Sequence, residues 1–335
     1  MLFHQLILRR PGTRVISLLL VLFCGCDSSD APASFRVGIV SGFAPFGAIS
    51  EGFREEMGRL GYREGKNIAF DFREIDPFDP RDTTQIQLLI NSKVDVLVSY
   101  PTQATLMARD CARDSGIPLV FALAGIEGND LIQSIPKPGG NITGVRYPGP
   151  DMVVKSLELI QEIAPNITHI WMGYNPGYPV SRHSLPSLRN AADRLGYHLT
   201  ESPVSSPGEI GPNLQRWAEA NRSAGAAILI LPDDITQSRE GWEIIWRNSE
   251  KYRIPIVGSG RKNFQKHTIF SLSPSLPDYG ALAARQVDQI LRGMPAGEIM
   301  VTTPNPKLTI NYKLASELGL AVPEGMLSKA DEIIK

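Results

Sequence analysis

The stretch Pro136-Lys137-Pro138-Gly139-Gly140-Asn141-Ile142-Thr143-Gly144-Val145 decides how the chain is divided. Its two prolines and three glycines suit neither a helix nor a long strand. On both sides of it, short apolar strands alternate with amphipathic helices. We read it as a crossover between two α/β lobes, with the working cleft beside it.

Upstream, Phe35–Ser41 reads as a first strand and Gly42–Gly47 as its turn. Phe53, Met57 and Leu60 then share a helix face, and Gly61 can close that helix in the left-handed conformation. Ile68, Phe70 and Phe72 alternate as a strand; Ile86, Leu89 and Ile90 mark a second helix. Val94–Val98 is mostly apolar, as a strand covered on both faces should be. The turn Ser99–Gln103 leads into a helix carrying Ala104, Met107, Ala108 and Cys111 on one face, and Leu119–Ala122 is the next strand. Such a βαβαβαβ run implies a parallel sheet with right-handed crossovers.

Downstream the rhythm restarts. Val153, Leu157 and Ile160 mark a helix; Ile170–Met172 is a strand that runs into Tyr174-Asn175-Pro176. Leu185, Leu188, Ala192 and Leu195 form a helix face closed by Gly196. Ala226–Leu231 is a buried strand ending at Pro232-Asp233-Asp234, and Pro255–Gly258 is another. Thr268–Leu272 and Leu308–Asn311 read as later strands, the second followed by a short helix to about Leu318. The fold class is α/β, with two doubly wound parallel-sheet lobes joined by a three-crossover hinge. Residues 35–143 and 267–300 are assigned to lobe 1, and 144–266 and 301–335 to lobe 2. A chain that visits the lobes in that order must cross three times, near Thr143-Gly144-Val145, Lys266-His267 and Val301-Thr302.

The bulk numbers agree. A chain of 335 residues exceeds what one core usually supports. Hydrophobic residues at 42% and charged ones at 21% fit a globular protein. The net charge of -1, with no long basic run, argues against a nucleic-acid partner, because phosphate neutralisation needs clustered Lys and Arg.

Arg9, Arg10 and Arg14 precede the apolar run Val15–Phe23, which is too short to span a bilayer but suits a signal-peptide core. Gly25-Cys26 directly after it resembles a bacterial lipobox, which implies a signal peptide over 1–26 and a lipid on Cys26. Asp27 resembles the signal that retains lipoproteins at the inner membrane. Residues 27–34 are small and polar, a tether. Of three cysteines only Cys111 lies beyond the leader, so no internal disulfide is expected; its helix face assigns it to the core.

Signatures of several enzymes are missing: no phosphate-binding Gly-x-x-x-x-Gly-Lys-Ser/Thr, no Gly-x-Gly-x-x-Gly at the first turn, no Gly-x-Ser-x-Gly elbow. His169, His183, His198 and His267 show no metal-type spacing. No cofactor, no metal and no enzymatic activity are expected. What remains is a set of strand-end loops, the place where open α/β sheets bind ligands. They offer Ser41, Phe43, Tyr100, Thr102, Gln103, Gly125, Asn175 and Asp233. Thr102 is read as a helix N-cap whose neighbouring N–H groups attract an anion. Asp233 or Asp234 can pair with a cation, and Phe43, Phe46, Tyr100 and Tyr178 can cover an apolar or aromatic group.

At these residues the chain resembles the bacterial ABC-transporter substrate-binding proteins of the tryptophan/tyrosine-transport type. The matching motifs are Leu60-Gly61-Tyr62-Arg63-Glu64-Gly65-Lys66-Asn67-Ile68, Pro138–Val145, Tyr174-Asn175-Pro176, Leu231-Pro232-Asp233, Leu308–Asn311 and the ending from Leu318 to Pro323 with Ala330–Ile334. The resemblance covers nearly everything after Asp27. It implies a type I periplasmic binding fold and a monomeric extracytoplasmic receptor, lipid-anchored to the membrane, that hands a small solute to an ABC permease and its ATPase. It also implies Thr102 for the ligand's acid group, Asn175 for a hydrogen bond from the second lobe and Asp233 for an amine. The chain departs from the pattern at Pro101-Thr102-Gln103-Ala104, where many members have Gly-Thr-Pro-Ala, and at Gly125-Ile126-Glu127, where many have Gly-Asp-Pro. Two other readings stay open: an exported hydrolase or isomerase using Asp233, Asp234 or Glu127, and a ligand-sensing subunit of a membrane signalling system.

Overall fold

A computed structural model describes residues 35–42, 46–221, 225–258 and 262–335. The expected leader, the expected lipidation site Cys26, the expected tether and Phe43 lie outside the described residues.

The first part runs β1 (Phe35–Ser41), α1 (Gly47–Arg59), β2 (Ile68–Glu74), α2 (Thr83–Asn91), β3 (Val96–Tyr100), α3 (Thr102–Ala112), β4 (Leu119–Ala124) and β5 (Ile142–Arg146). The strands form a parallel sheet in the order β2-β1-β3-β4-β5. β3 is buried along its whole length, as its apolar run requires. Its alternate residues serve two layers. Val96, Val98 and Tyr100 join a core with α1, while Leu97 joins one with α2 and α3.

The second part runs α4 (Gly149–Ile163), β6 (His169–Tyr174), α5 (Pro179–Leu195), β7 (His198–Pro203), α6 (Pro207–Ala220), β8 (Ala226–Ile230), α7 (Arg239–Tyr252), β9 (Ile256–Gly258) and β10 (Thr268–Ser273). The tail adds α8 (Leu276–Leu291), β11 (Lys307–Asn311), α9 (Tyr312–Glu317), α10 (Glu324–Leu327) and β12 (Glu332–Ile334). The second sheet has the order β12-β11-β10-β9-β8-β6-β7. Here the parallel expectation needs one correction: β10 and β11 are antiparallel, because the chain leaves the sheet at the end of β10 and re-enters it at that same end.

α8 belongs to the first lobe. Tyr279, Ala283 and Val287 complete the core on the α1 face. The two helices touch closely at two glycines: a Cβ on Gly52 would lie 2.2 Å from the Pro277 carbonyl oxygen, and one on Gly280 would lie 2.0 Å from that of Ile49. Buried Glu56 on α1 binds Arg285 on α8 at 2.7 Å.

The crossing points shift from the expected ones. The turn 136–141 is a loop at the N-terminal end of β5, where Gly139 (φ +76°) and Gly140 (φ +55°) adopt the left-handed conformation and the Gly139 N–H donates to Gly297. The chain leaves the first lobe only after Arg146, at the other end of the strand. It does not return near Lys266-His267, because Thr268–Ser273 is a strand of the second sheet; the return follows Ser273. Thr302 donates to Gly144 O at 3.0 Å and accepts from Arg146 N at 2.9 Å, so the first and third crossings lie side by side.

Candidate functional site

The C-terminal ends of both sheets meet at a cleft. From the first lobe come Thr102, at the start of α3, and the β4–β5 loop with Gly125, Glu127 and Asn129. From the second come Gly149 and Pro150 of α4 and Pro179, Val180 and His183 of α5. The lobes touch. The His183 imidazole packs against Gly128, where a Cβ would sit 1.9 Å from Nε2 and where φ is +71°.

Thr102 is the first helical residue of α3; Pro101 holds the N-cap position. The expectation of a side-chain cap is therefore corrected. The hydroxyl instead accepts from Gly125 N at 3.0 Å, tying the start of α3 to the end of β4. This bond brings two of the sequence candidates together. The backbone N–H groups of the first turn have no intrahelical acceptor, and they carry the positive end of the helix dipole. Gln103, the next residue, is partly buried on that turn.

Beside Gly125 there is room. A Cβ built there would be 3.8 Å from Thr102 Oγ1, 3.9 Å from Glu127 Oε2 and 3.9 Å from Val180 Cγ2 of the other lobe. The missing side chain thus leaves a small space with one wall from each lobe.

Tyr100 and Ser41 do not reach the cleft. Both are about 1% exposed, and they are partners in register across β1 and β3. The Tyr100 hydroxyl bonds Ser50 and Ser41, and burial pushes its pKa up. The sequence held the signal for this. Tyr100 stands two and four residues after Val98 and Val96, on their face of the strand, so it points into their core. Phe46 packs at the edge of the same core, and Tyr178 precedes α5 as its N-cap residue.

Asn175 and Asp233 lie together but serve each other. The Asp233 carboxylate is 5% exposed and accepts three backbone N–H bonds, from Asn175 at 2.7 Å, Ile235 at 3.0 Å and Thr236 at 2.9 Å. The Ser181 hydroxyl, 3.0 Å away, divides its one proton between this carboxylate and Pro232 O at 2.7 Å. The carboxylate staples the loop after β6 to the loop after β8, which are neighbours because β6 and β8 are adjacent strands. Asn175 donates through Nδ2 to Asp234 at 3.0 Å and accepts from Gly177 N at 2.8 Å. Its side chain completes its own turn.

Sequence reasoning missed Arg146 and His183. Arg146, at the end of β5, pairs with Glu127 of the first lobe at 3.3 Å and with Asp151 of α4, and donates to Thr303 Oγ1 at 3.1 Å. One guanidinium thus holds the first lobe, the second lobe and the third crossing. His183 lies one turn into α5, four residues after Pro179, and that spacing alone places both on the cleft face. Among the described residues no group of three or more His, Cys, Asp or Glu side chains could hold a metal ion.

Comparison with known proteins accords with this geometry. A tyrosine-binding protein of Clostridioides difficile (strain R20291) is 25% identical over 256 residues, which is 76% of this chain and 71% of that protein. The crystal structure of an ABC domain in complex with L-Trp from Streptococcus pneumonia superposes with a TM-score of 0.75 at 22% identity, covering 90% of this chain and all of that one. The ligand-free, open structure of a substrate-binding protein with adhesive properties from Clostridium difficile gives 0.72 at 19% identity, covering 89% and 98%. The family described as ABC transporter substrate binding protein matches residues 38–334. The chain belongs to the ABC transporter substrate-binding proteins, the components that capture a solute for delivery to a permease.

Proposed function

We propose that the chain captures a small amino acid or a similar zwitterion in the cleft between its lobes, and closes on it. The observation that carries this is the space over Gly125, bounded by Thr102 and Glu127 of one lobe and Val180 of the other. Each lobe alone leaves most of a ligand in water. A solute that touches both walls gains its second set of contacts only when the lobes meet, so it shifts the population toward the closed form. The start of α3 favours a carboxylate there. An aromatic side chain is the first group to test, because one relative carries the name tyrosine-binding protein and one structural neighbour holds L-Trp.

The receptor acts outside the cytoplasm, tethered by lipid on Cys26 to the inner membrane and working as a monomer with its permease and ATPase. The apolar run before Gly25-Cys26 supports this, and no helix among the described residues is long and apolar enough to cross a membrane. Mass spectrometry of the membrane fraction should find a diacylglyceryl thioether on Cys26; an unmodified chain that starts elsewhere contradicts the anchor.

Calorimetric titration with L-tryptophan and L-tyrosine, paired with small-angle scattering, tests the capture. The expected outcome is binding of at least one of them with a fall in the radius of gyration. Binding without compaction would leave the receptor but remove the clamp.

A further inference from the structure

The geometry points to Glu127, and not Asp233, as the group that receives the positively charged nitrogen of the bound solute. This rests on the reading that the interlobe cleft holds the solute, and it names the group in that cleft which selects its charge.

Three observations carry it. The first is elimination by occupancy. Asp233 is buried, and its two oxygens are held by three backbone N–H groups of its own lobe with the Ser181 hydroxyl beside them, so it faces its own loops and not the cleft space. Asp234 is exposed and holds the Asn175 amide.

The second is capacity at Glu127. Its Oε1 meets Arg146 at a long 3.3 Å, and among the described residues its Oε2 accepts only from the neighbouring Ile126 N–H at 3.2 Å. Acceptor sites therefore remain on both oxygens. Arg146 is shared with Asp151, so two carboxylates stand against one guanidinium and a negative charge is left over. That guanidinium also fixes where the Glu127 carboxylate points, since it is itself held by Thr303.

The third is position. The space over Gly125 lies 3.9 Å from Glu127 Oε2 and 3.8 Å from Thr102 Oγ1, at the positive end of α3. An α-amino acid head group presents a cation and an anion a few ångströms apart. Here Glu127 and the start of α3 border one small space. Among the described residues that line the cleft, Glu127 alone offers a carboxylate.

Calorimetry on the wild type, Glu127→Gln, Asp233→Asn and Gly125→Ala decides it. The probes are L-tyrosine, L-tryptophan and 3-(4-hydroxyphenyl)propionate, which keeps the carboxylate and ring of tyrosine but lacks the nitrogen. Glu127→Gln is expected to weaken the amino acids at least about tenfold, as loss of a charge-assisted hydrogen bond should, while leaving the des-amino acid unchanged. Asp233→Asn should melt earlier but keep the wild-type preference for the amino acid. Gly125→Ala should fold normally, because no backbone or side-chain atom lies within 3.8 Å of the added methyl group and φ there is not left-handed, yet it should bind poorly. Equal affinity in Glu127→Gln, or loss of the nitrogen preference in Asp233→Asn, overturns the assignment.

If the wild type binds neither aromatic amino acid, the aromatic reading fails by itself. The charge assignment is then read from a thermal-shift panel of zwitterions, amines, carboxylates and neutral sugars on the wild type and Glu127→Gln. Stabilisation by nitrogen cations that Glu127→Gln abolishes supports it. A wild type that no nitrogen cation stabilises overturns it.

Discussion

Each lobe brings an acid to the cleft edge, and the two acids do opposite things. In the second lobe, Asp233 is buried and spends its lone pairs on three backbone N–H groups in two loops of its own sheet. In the first lobe, Glu127 is part-exposed, loosely held and faces the space over Gly125. Residue type does not separate them; the tally of filled lone pairs does. The second lobe has used its polar groups to build a rigid wall. The first has kept some of its own in reserve.

Stability measurements can break this contrast. Asp233→Ala should cost the most, roughly 3 kcal/mol or more by urea unfolding, since it strands buried donors that had a charged acceptor. Glu127→Ala, read the same way, should cost under about 1 kcal/mol, as part-exposed ion pairs usually do. The reverse order would sink the comparison.

A smaller effect sharpens it. Thr102→Val removes the acceptor of the buried Gly125 N–H and should cost about 1–3 kcal/mol, while Thr102→Ser should restore most of it. Thr102→Pro is a different matter: proline is tolerated at the first helical position, so its loss should reflect the missing hydroxyl and not a broken helix. If Thr102→Val leaves the urea midpoint unchanged, the bond from Gly125 contributes nothing to that wall. Asn175→Ala should cost about 1 kcal/mol by loosening its turn, and should weaken solute binding only through that wall; a tenfold loss of affinity at unchanged stability would return Asn175 to direct contact.

A further effect is set by pH. The Arg285 guanidinium, bonded to Glu56, holds that carboxyl below its usual range, with help from Arg59 and against the opposing effect of burial. A depressed folded pKa means that the stabilisation is complete above the unfolded value, about 4.3, and is lost as pH falls through the folded one. Glu56→Gln should therefore cost about 1 kcal/mol at pH 7 and little at pH 3. A penalty that grows on acidification would contradict the sign.

Much of the fold could be read from the chain because its central strands are apolar on both faces. Val96–Tyr100 and Ala226–Ile230 are buried throughout, so they announce themselves. β7 did not, since it is an edge strand with alternating exposure that ends in a proline. β12 is only three residues long. The turn Pro136–Asn141 was rightly seen as a break, but which end of the next strand crosses to the other lobe depends on pairing with Thr302, 157 residues away, and no local pattern carries that. At the site, strand ends point to Thr102 and Gly125, and a hydrogen bond joins the two. Period-two alternation places Tyr100 with Val96 and Val98 in the core. Asp233 looked like a ligand group because two of its partners, Asn175 and Ser181, come from the segment after β6, which only the strand order brings near.

The way α8 caps the first lobe sets the order in which the molecule can be completed. Tyr62 bonds Asp288, 226 residues on, and Glu56 bonds Arg285, 229 residues on. A chain that appears from its N-terminus first has all five strands of sheet one long before the helix that covers them. Until residue 291 is made, the apolar face of Val96, Val98 and Val120 has α1 but lacks the second half of its cover. The second lobe meets no such delay for β6 to β10. The first half of the sequence thus waits on the last fifth, and closing so long a loop is slow. A fragment ending at Arg146 would be a sheet with one face only half covered, prone to stick to its neighbours rather than to fold.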